Sequence, residues 1–335
     1  MPDTRTRASG TPGTPGAFGP GLWSQVWPVV RLTGLLLALA LATSRLGLVA
    51  HELVGHGGAA VAVGGEVTEV ELFWFAGGWI RYHFPTPPSI AAQLVISMGG
   101  IAIEVVAGLA LWLAVRDKRD SSLGRHLVRG AGTALIMHAS WYLATGAWHG
   151  FGDGQLLHHV LGGARAPVAF AAGAITCACG FVGARDLVGP LRATQASIVG
   201  LVVAVGFAGG IHAGLAVGEL HVRGDTTYAT IMQPEQARQV DRDLARWAAY
   251  EAARGSEVTR AGREREHARL EQVHRTFPFA WWLGAGALIA VLAGARRSLR
   301  HVRREIVIRA GLLVRAAAIA AIAIAGVIAI DWCTR

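Results

Sequence analysis

The sequence predicts an all-α polytopic membrane protein with about seven transmembrane helices, a small β-hairpin and a polar helical insert. The 335 residues are 53% hydrophobic and only 16% charged, with a mean hydropathy of +0.41, whereas about a quarter of the residues in soluble domains are charged. Apolar stretches of about 18 residues or more recur along the chain. Much of the formal net charge of +9 falls in short clusters between these stretches, which the positive-inside rule explains without a nucleic-acid partner.

The chain begins with a polar segment followed by one long apolar run. Residues 1–22 are rich in Gly, Pro, Thr and Arg, a composition typical of disorder because it offers little apolar surface to bury. Residues 27–64 exceed the roughly 20 residues that a straight crossing requires. This run is either one long helix or two helices broken near Ser44–Gly47. We expect a single crossing, because two crossings would spoil the charge distribution described below.

Residues 66–84 differ in character from the apolar runs around them. They are rich in β-branched and aromatic residues, and Ala76-Gly77-Gly78 supplies a turn, a pattern that predicts a β-hairpin. A Pro-Thr-Pro-Pro run at 85–88 ends this segment.

Six further apolar stretches are predicted to cross the bilayer. They occupy residues 89–115, 131–150, 166–184, 194–217, 278–295 and 308–330. Basic residues cluster at 116–129, 185–192 and 296–304. Seven crossings with a cytoplasmic N-terminus place all three clusters on the cytoplasmic side and leave the hairpin outside.

The polar insert at residues 218–276 contains ten Arg and ten Asp plus Glu, so it is nearly neutral. Helix formers and spaced apolar residues in 235–274 predict one or two amphipathic helices that form a cap outside the membrane; a solvated charged loop is the alternative. The chain therefore divides into five segments: a tail (1–22), a membrane core with the hairpin (23–165), further transmembrane helices (166–217), the cap (218–276) and C-terminal transmembrane helices (277–335).

Three ionisable residues lie close together in the second half of the first apolar run. His51 and Glu52 begin a six-residue stretch that ends at His56, and ionisable groups at membrane depth cost about 2.5–3.5 kcal/mol each. Neutral imidazole binds zinc, and a carboxylate beside a metal-bound water can act as a general base. We therefore predict that His51 and His56 bind zinc and that Glu52 is the catalytic residue.

The spacing of the two histidines constrains the local helix. Residues 51 and 56 lie about 140° apart on a regular α-helix, so they can share a metal only where the helix is unwound or carries a π-bulge. Gly55 lowers the cost of such a distortion. A catalytic zinc takes three protein ligands, and Asp153, between two glycines at the end of a span, is the best third ligand. Its alternative role is a helix cap.

This set of motifs resembles the site-2 protease family of intramembrane zinc metalloproteases, over residues 30–165. The features that match are the His51–His56 stretch, the hairpin after it, the glycine-rich Met98–Glu104 and Gly152-Asp153-Gly154. The resemblance implies that the two histidines and the aspartate bind zinc, and that the glutamate is the general base. It also implies that the hairpin pairs with an unwound segment of a membrane protein substrate, and that the protein lies in a bacterial inner membrane.

The motif departs from that family in one respect, because three residues rather than two separate Glu52 from His56. The stretch is also similar to the His-Glu-Leu-Leu-Gly-His motif of the dipeptidyl-peptidase III family, where the longer spacing binds zinc. The Glu-Glu pair of that family is absent from this sequence. That second similarity therefore implies only that the spacing is compatible with zinc.

Other polar residues in apolar segments are candidates for supporting roles. Glu104 is predicted to support the ligands or the substrate; pairing with an Arg or His elsewhere in the bundle is the alternative. His138 and His149 lie near Asp153 in sequence, and either could hydrogen-bond a ligand, although a single histidine is more often a packing residue. Three other histidines have the same two interpretations: His158, His159 and His212.

Two rival functions are compatible with the sequence, and a third interpretation is a structural membrane protein with incidental histidines. A membrane di-iron hydroxylase or desaturase also uses a His-x4-His stretch, but the His-x-x-His-His string of such enzymes is absent. The second rival is a non-proteolytic binding protein or transporter built on the protease scaffold. We expect the lipid bilayer and a membrane protein substrate as partners, with no nucleic acid, and the sequence leaves the oligomeric state undetermined.

Overall fold

The computed structural model describes residues 22–116, 122–194, 197–300 and 308–334. Residues 1–21 of the predicted tail, 117–121 and 301–304 of the predicted basic clusters, and residues 305–307 lie outside the described residues. The described part is mainly helical with one two-stranded antiparallel sheet. The predicted all-α polytopic membrane fold with a small hairpin is therefore confirmed.

Twelve α-helices follow one another along the described residues. They are α1 (Leu22–Val49), α2 (Gly58–Ala62), α3 (Ile90–Ala114), α4 (Leu123–His149), α5 (Gly154–Leu161), α6 (Arg165–Arg192), α7 (Ile198–Arg223), α8 (Thr226–Ile231), α9 (Glu235–Ala253), α10 (Arg260–Val273), α11 (Phe279–Leu299) and α12 (Ala310–Thr334). A π-helix (Ala50–Gly57) joins α1 to α2, and the strands are β1 (Glu66–Leu72) and β2 (Gly78–His83).

Six helical stretches in the described ranges are long and apolar enough to cross a membrane. They are Val26–Ala62, Ile90–Ala114, Gly154–Arg192, Ile198–Arg223, Phe279–Leu299 and Ala310–Thr334. The first is a continuous helical segment of 37 residues, without the alternative break near Ser44–Gly47. The protein is thus an integral membrane protein whose first crossing carries the His51–His56 stretch.

Helix α4, which corresponds to the third predicted crossing, is less apolar than those six stretches. It contains two arginines and three histidines. It packs along α3 and along α6, and Leu127, Ala139 and Ala144 are among its buried residues. Because protein rather than lipid surrounds much of α4, polar side chains on it can find partners inside the bundle.

Two groups of helices build the bundle. Helix α1 packs against α7 and α12, whereas α6 packs against α4 and α11. Leu35 of α1, Leu127 of α4 and Leu191 of α6 meet in a buried cluster that joins the groups. The hydroxyl groups of Ser140 and Thr176 form a hydrogen bond of 2.9 Å between α4 and α6, a contact typical of helix packing in membranes.

The hairpin lies against helices at one end of the bundle. Strand β1 pairs antiparallel with β2, with Glu66 opposite His83 and Leu72 opposite Gly78. Leu72 packs in a buried cluster with Val327 of α12, and β2 contacts the π-helix. The hairpin is therefore held beside the segment that carries the candidate ligands.

Helix α7 extends beyond the predicted span end at residue 217 and reaches Arg223. The guanidinium of Arg223 forms ion pairs with Glu219, Glu71 and Asp331, and these opposite charges let the charged last turn remain helical. Glu219 also accepts hydrogen bonds from the backbone N–H groups of residues 74–76. This network fixes the turn of the hairpin to α7.

The polar insert is helical in the described structure rather than a solvated loop, since it contains α8, α9 and α10. At its start, Glu235 accepts hydrogen bonds from Arg238 and Arg242. Burial disfavours the charged form of Glu235, but the bonds from Arg242 and Arg238 outweigh it and lower the pKa of the carboxyl group. The carboxylate therefore remains ionised at neutral pH and keeps both arginines in place.

The same part of the insert contacts the loop between α4 and α5. Arg238 donates a hydrogen bond to the carbonyl oxygen of Gly150. The N–H of Gly152 donates to the carbonyl oxygen of Ile231, at 2.9 Å. The insert thus covers the loop that carries Asp153.

Candidate metal centre

The residues from Ala50 to Gly57 form a π-helix, one of the two distortions that the spacing of the histidines requires. The i→i+5 hydrogen bonds of a π-helix widen the turn, so residues five apart lie on the same face. The ring centroids of His51 and His56 are 4.8 Å apart, and their Nε2 atoms are 3.1 Å apart. The longer motif therefore brings both imidazoles to one point.

Glycines allow the π-helix to approach α3 closely. A Cβ atom on Gly55 would lie 2.5 Å from the Cα atom of Gly100, and one on Gly100 would lie 2.5 Å from Nε2 of His51. Gly55 has no positive φ angle, so its role is close packing as well as the flexibility that the sequence suggested. The glycine-rich segment of α3 makes room for the histidine ring.

On the prediction that His51 and His56 bind zinc, replacing Gly100 with alanine is expected to lower zinc affinity by about 10- to 100-fold, the range seen when groups that support a metal ligand are changed. The added methyl group would push the His51 ring away from His56. Gly34→Ala on α1 is the matched control, because no atom lies within 4 Å of the Cβ position there. Zinc competition titrations and thermal unfolding measure both variants. Equal zinc affinity in the two would contradict this account of the packing.

Asp153 reaches the histidines from the loop between α4 and α5. Its Oδ2 atom lies 2.9 Å from Nε2 of His51, and its Oδ1 atom lies 3.1 Å from Nε2 of His56. Asp153 occupies the N-cap position of α5, but its side chain makes no capping hydrogen bond. The geometry therefore favours the ligand role over the alternative of a helix cap.

The loop geometry depends on a glycine before Asp153. Gly152 has φ +51°, a left-handed conformation that other residues rarely adopt. A Cβ atom there would also lie 1.9 Å from the hydroxyl oxygen of Tyr142. Only glycine fits between the tyrosine and the turn that directs Asp153 inward.

The donor atoms of the three side chains match the size of a tetrahedral zinc site. They all lie within 4.8 Å of one another, and the three nearest distances are 2.9, 3.1 and 3.1 Å. Ligands about 2.0–2.1 Å from a tetrahedral zinc are about 3.3 Å apart. Oδ2 of Asp153 is buried without a hydrogen bond although Nε2 of His51 is close to it. We interpret this as two donor atoms aimed at a shared point rather than at each other.

The outer nitrogen of each imidazole faces a group that can orient the ring. Nδ1 of His56 lies 2.7 Å from the carbonyl oxygen of Ile96, so it carries the proton and leaves the lone pair of Nε2 available to a metal ion. Nδ1 of His51 lies 3.5 Å from Oε1 of Glu104, too far for a regular hydrogen bond. Oε2 of Glu104 pairs with Nδ1 of His138 at 3.0 Å.

Only some of the predicted supporting residues lie beside the His-His-Asp cluster. Glu104 lies between Nδ1 of His51 and Nδ1 of His138, a position compatible both with its predicted supporting role and with the alternative of pairing with a histidine of the bundle. His149 is not in the His-His-Asp cluster found among the described residues, and Nδ1 of His158 bonds to the carbonyl oxygen of Ala147. His159 pairs with Glu235 of the cap at 3.6 Å.

Two residues near the site were missed by sequence reasoning. Tyr142 lies with its ring 6.2 Å from His51 and is stacked on His138. Its spacing of four residues from His138 on one helix face was the signal that could have found it. Arg45 was missed although it is a charged residue inside the first apolar run, which is itself such a signal.

A cavity of about 620 Å³ lies beside the cluster. Residues of α1, α4, α7, α8 and the hairpin turn line it, and most of the lining groups are apolar. His51, Glu52 and Glu104 contribute polar groups to its wall. One candidate ligand, His51, and the candidate base, Glu52, therefore face a space that can hold an apolar chain.

Comparison of the chain with protein-family models, with curated proteins and with solved structures found no match. Fold and site together define a class: a polytopic membrane protein with a His-His-Asp cluster that could hold a metal ion.

Proposed function

We propose that the protein is a zinc-dependent intramembrane endopeptidase that hydrolyses a peptide bond in or near a transmembrane segment. The observation that supports this most is the convergence of His51, His56 and Asp153 beside a cavity with a mainly apolar lining. Glu52 neighbours His51 on the same π-helix and is buried. Two imidazoles, one carboxylate ligand and a separate carboxylate are the parts that metal-assisted hydrolysis requires.

In this proposal each residue of the site has one role. A zinc ion held by the three ligands would lower the pKa of water and polarise the peptide carbonyl group. Glu52 takes a proton from the attacking water as the water oxygen bonds to the carbonyl carbon. Glu52 then gives that proton to the amide nitrogen as the C–N bond breaks. The products are a carboxylic acid and an amine, so the reaction needs no oxidant or reductant.

The surroundings of the site suit an extended apolar substrate. The cavity wall includes the hairpin turn and apolar residues of α1 and α4. The hairpin has only two strands, so its outer edges can offer backbone hydrogen bonds to an added chain. A transmembrane segment that enters the cavity would have to unwind locally, and pairing with the hairpin would hold it extended.

We also propose that the protein lies in a bacterial inner membrane with its N-terminus in the cytoplasm. Leu123, Leu191, Leu201 and Ile308, which lie at or beside helix ends, meet in one buried cluster. The described arginines of the predicted basic clusters lie at that end of the bundle, among them Arg125, Arg192 and Arg296. The hairpin, the loop with Asp153 and the polar insert lie at the opposite end of the same helices, which the positive-inside rule assigns to the outside.

No observation favours the di-iron alternative. The described residues contain one group of three or more metal-ligand side chains that converge, and it consists of His51, His56 and Asp153. His158 bonds to the Ala147 carbonyl oxygen and His159 pairs with Glu235 of the polar insert, so neither is directed at the cluster. A binding protein on the same scaffold would retain the cluster but not hydrolyse a substrate.

Metal removal tests the proposal directly. The purified protein is mixed with synthetic transmembrane peptides of about 20 apolar residues, and the products are identified by mass spectrometry. We expect chain cleavage that a zinc chelator abolishes and added zinc restores. A peptide that gains an oxygen atom without chain cleavage, together with two irons per protein, would instead identify an oxygenase. Zinc binding with no product of either kind would leave the binding-protein alternative in place of the protease.

A further inference from the structure

Arg45 is a buried cation at the wall of the cavity. It lies on α1 inside the first membrane-spanning stretch, and only 4% of its surface is exposed. A charge at this depth is costly and normally faces a partner of opposite charge or a functional cavity. Arg45 lines the same cavity as His51 and Glu52.

The contacts of Arg45 leave its charge without an ion-pair partner in the part of the chain that the structure describes. Nη1 donates to the carbonyl oxygen of Phe73 at 2.7 Å, and Nε lies 3.4 Å from Oγ of Ser44. Both acceptors are neutral. Arg45 has an electrostatic interaction with the carboxylate of Glu219. That carboxylate, however, forms its ion pair with Arg223 and accepts hydrogen bonds from backbone N–H groups of the hairpin turn.

Two neutral polar groups lie beside the guanidinium. Oγ of Ser44 and Nε2 of His212 are 3.1 Å apart, and both residues line the cavity with Arg45. This places a hydroxyl group from α1 and an imidazole from α7 next to a fork of N–H donors. A carboxylate is the anion that such a planar fork binds best in an apolar cavity, because two parallel hydrogen bonds compensate its charge.

We infer that Arg45, with Ser44 and His212, binds a carboxylate carried by the substrate chain. This inference rests on the proposed function and adds a specificity rule to it. His51 lies six positions after Arg45 along the helix, a rise of about 9 Å. An extended chain covers about 3.3 Å per residue, so the carboxylate lies about three residues from the peptide bond that is cleaved. It belongs to an acidic side chain or to the end of the substrate chain.

Binding to the Glu52→Gln variant tests this inference without turnover. The probes are pairs of labelled transmembrane peptides of about 20 apolar residues that differ only by Asp or Asn at one position, which is moved along the series. A further pair carries a free or an amidated C-terminus. For the best position we expect the Asp peptide to bind about 10- to 100-fold more tightly than its Asn partner. The C-terminal pair distinguishes the two sources of the carboxylate.

Arg45→Met should abolish the preference for Asp, and Arg45→Lys should retain only part of it because the fork geometry is lost. Arg31→Met is the matched control, since Arg31 lies on the same helix over the ring of Trp27 and does not line the cavity. If Arg45→Met fails to fold, the difference in binding between the Asp and Asn peptides is measured on the Glu52→Gln variant alone, in which Arg45 is unchanged.

Equal binding of every Asp and Asn pair, and of the C-terminal pair, would overturn the inference. Binding of phosphatidylglycerol that depends on Arg45, with no preference between the peptides, would also overturn it and assign the cation to a lipid. These outcomes are separate from the fate of the proposed function. Cleavage of peptides regardless of their carboxylate would retain the protease and reject the specificity rule. Carboxylate-dependent binding without any cleavage by the wild type would retain the carboxylate site and reject the protease.

Discussion

Replacing Glu52 with glutamine is expected to lower kcat for peptide hydrolysis by about 10²- to 10⁴-fold, the usual contribution of a general base. The amide has nearly the same shape as the carboxylate but cannot take a proton from water. The change should leave zinc content and peptide binding close to those of the wild type, because His51, His56 and Asp153 are the proposed ligands and remain in place. Cleavage assays with zinc analysis on the same preparation measure both quantities.

The fold should tolerate this substitution. Glu52 is 6% exposed within a membrane-spanning stretch, so removing its charge lowers the cost of burying it. Glu264→Gln is the matched control, since Glu264 is an exposed residue of α10, in the polar insert, that pairs with Arg260. Full hydrolysis by the Glu52→Gln variant would refute the assignment of the base. Loss of hydrolysis together with loss of zinc would show that Glu52 supports the metal site instead.

The sequence predicted the helices and the hairpin well because their signals are local. Apolar length marks a membrane span, and the β-branched and aromatic residues on either side of the turn at Ala76-Gly77-Gly78 mark the hairpin. The end of α7 was harder to predict, because Arg223 has partners at Glu71 and Asp331 that are distant in sequence. Tertiary ion pairs decide whether such a charged turn remains helical.

The candidate site was predictable in its residue types but not in its geometry. The spacing of His51 and His56 required a distorted helix, and the π-helix supplies it. No local pattern showed that Gly100 would receive the His51 ring, or that Glu104 would link His51 to His138. These contacts depend on how α3 and α4 pack against the π-helix. The cavity beside Arg45 was likewise not predictable from the sequence, because several helices that are far apart in the chain form it.

The metal ligands give the second large expected effect. His56→Ala and Asp153→Ala should each reduce zinc affinity by more than the about 10- to 100-fold that outer-sphere changes cost, because each removes one of three proposed ligands. Glu104→Gln should fall within that smaller range, since Glu104 only faces Nδ1 of His51. Zinc per chain, measured by elemental mass spectrometry across a series of chelator concentrations, distinguishes the two classes of variant.

Matched controls separate ligand loss from general destabilisation. His158→Ala removes a histidine that bonds to a backbone carbonyl oxygen, and Asp243→Asn removes the charge of a carboxylate that pairs with His274 in the polar insert. Both should retain the zinc affinity of the wild type. Unchanged zinc binding in Asp153→Ala would exclude Asp153 as a ligand, and the hydrolase proposal would then depend on another carboxylate reaching the histidines. Glu104 lies 3.5 Å from Nδ1 of His51, but it faces the nitrogen opposite the cluster. The ligand role of Asp153 is therefore the point on which the proposed chemistry depends.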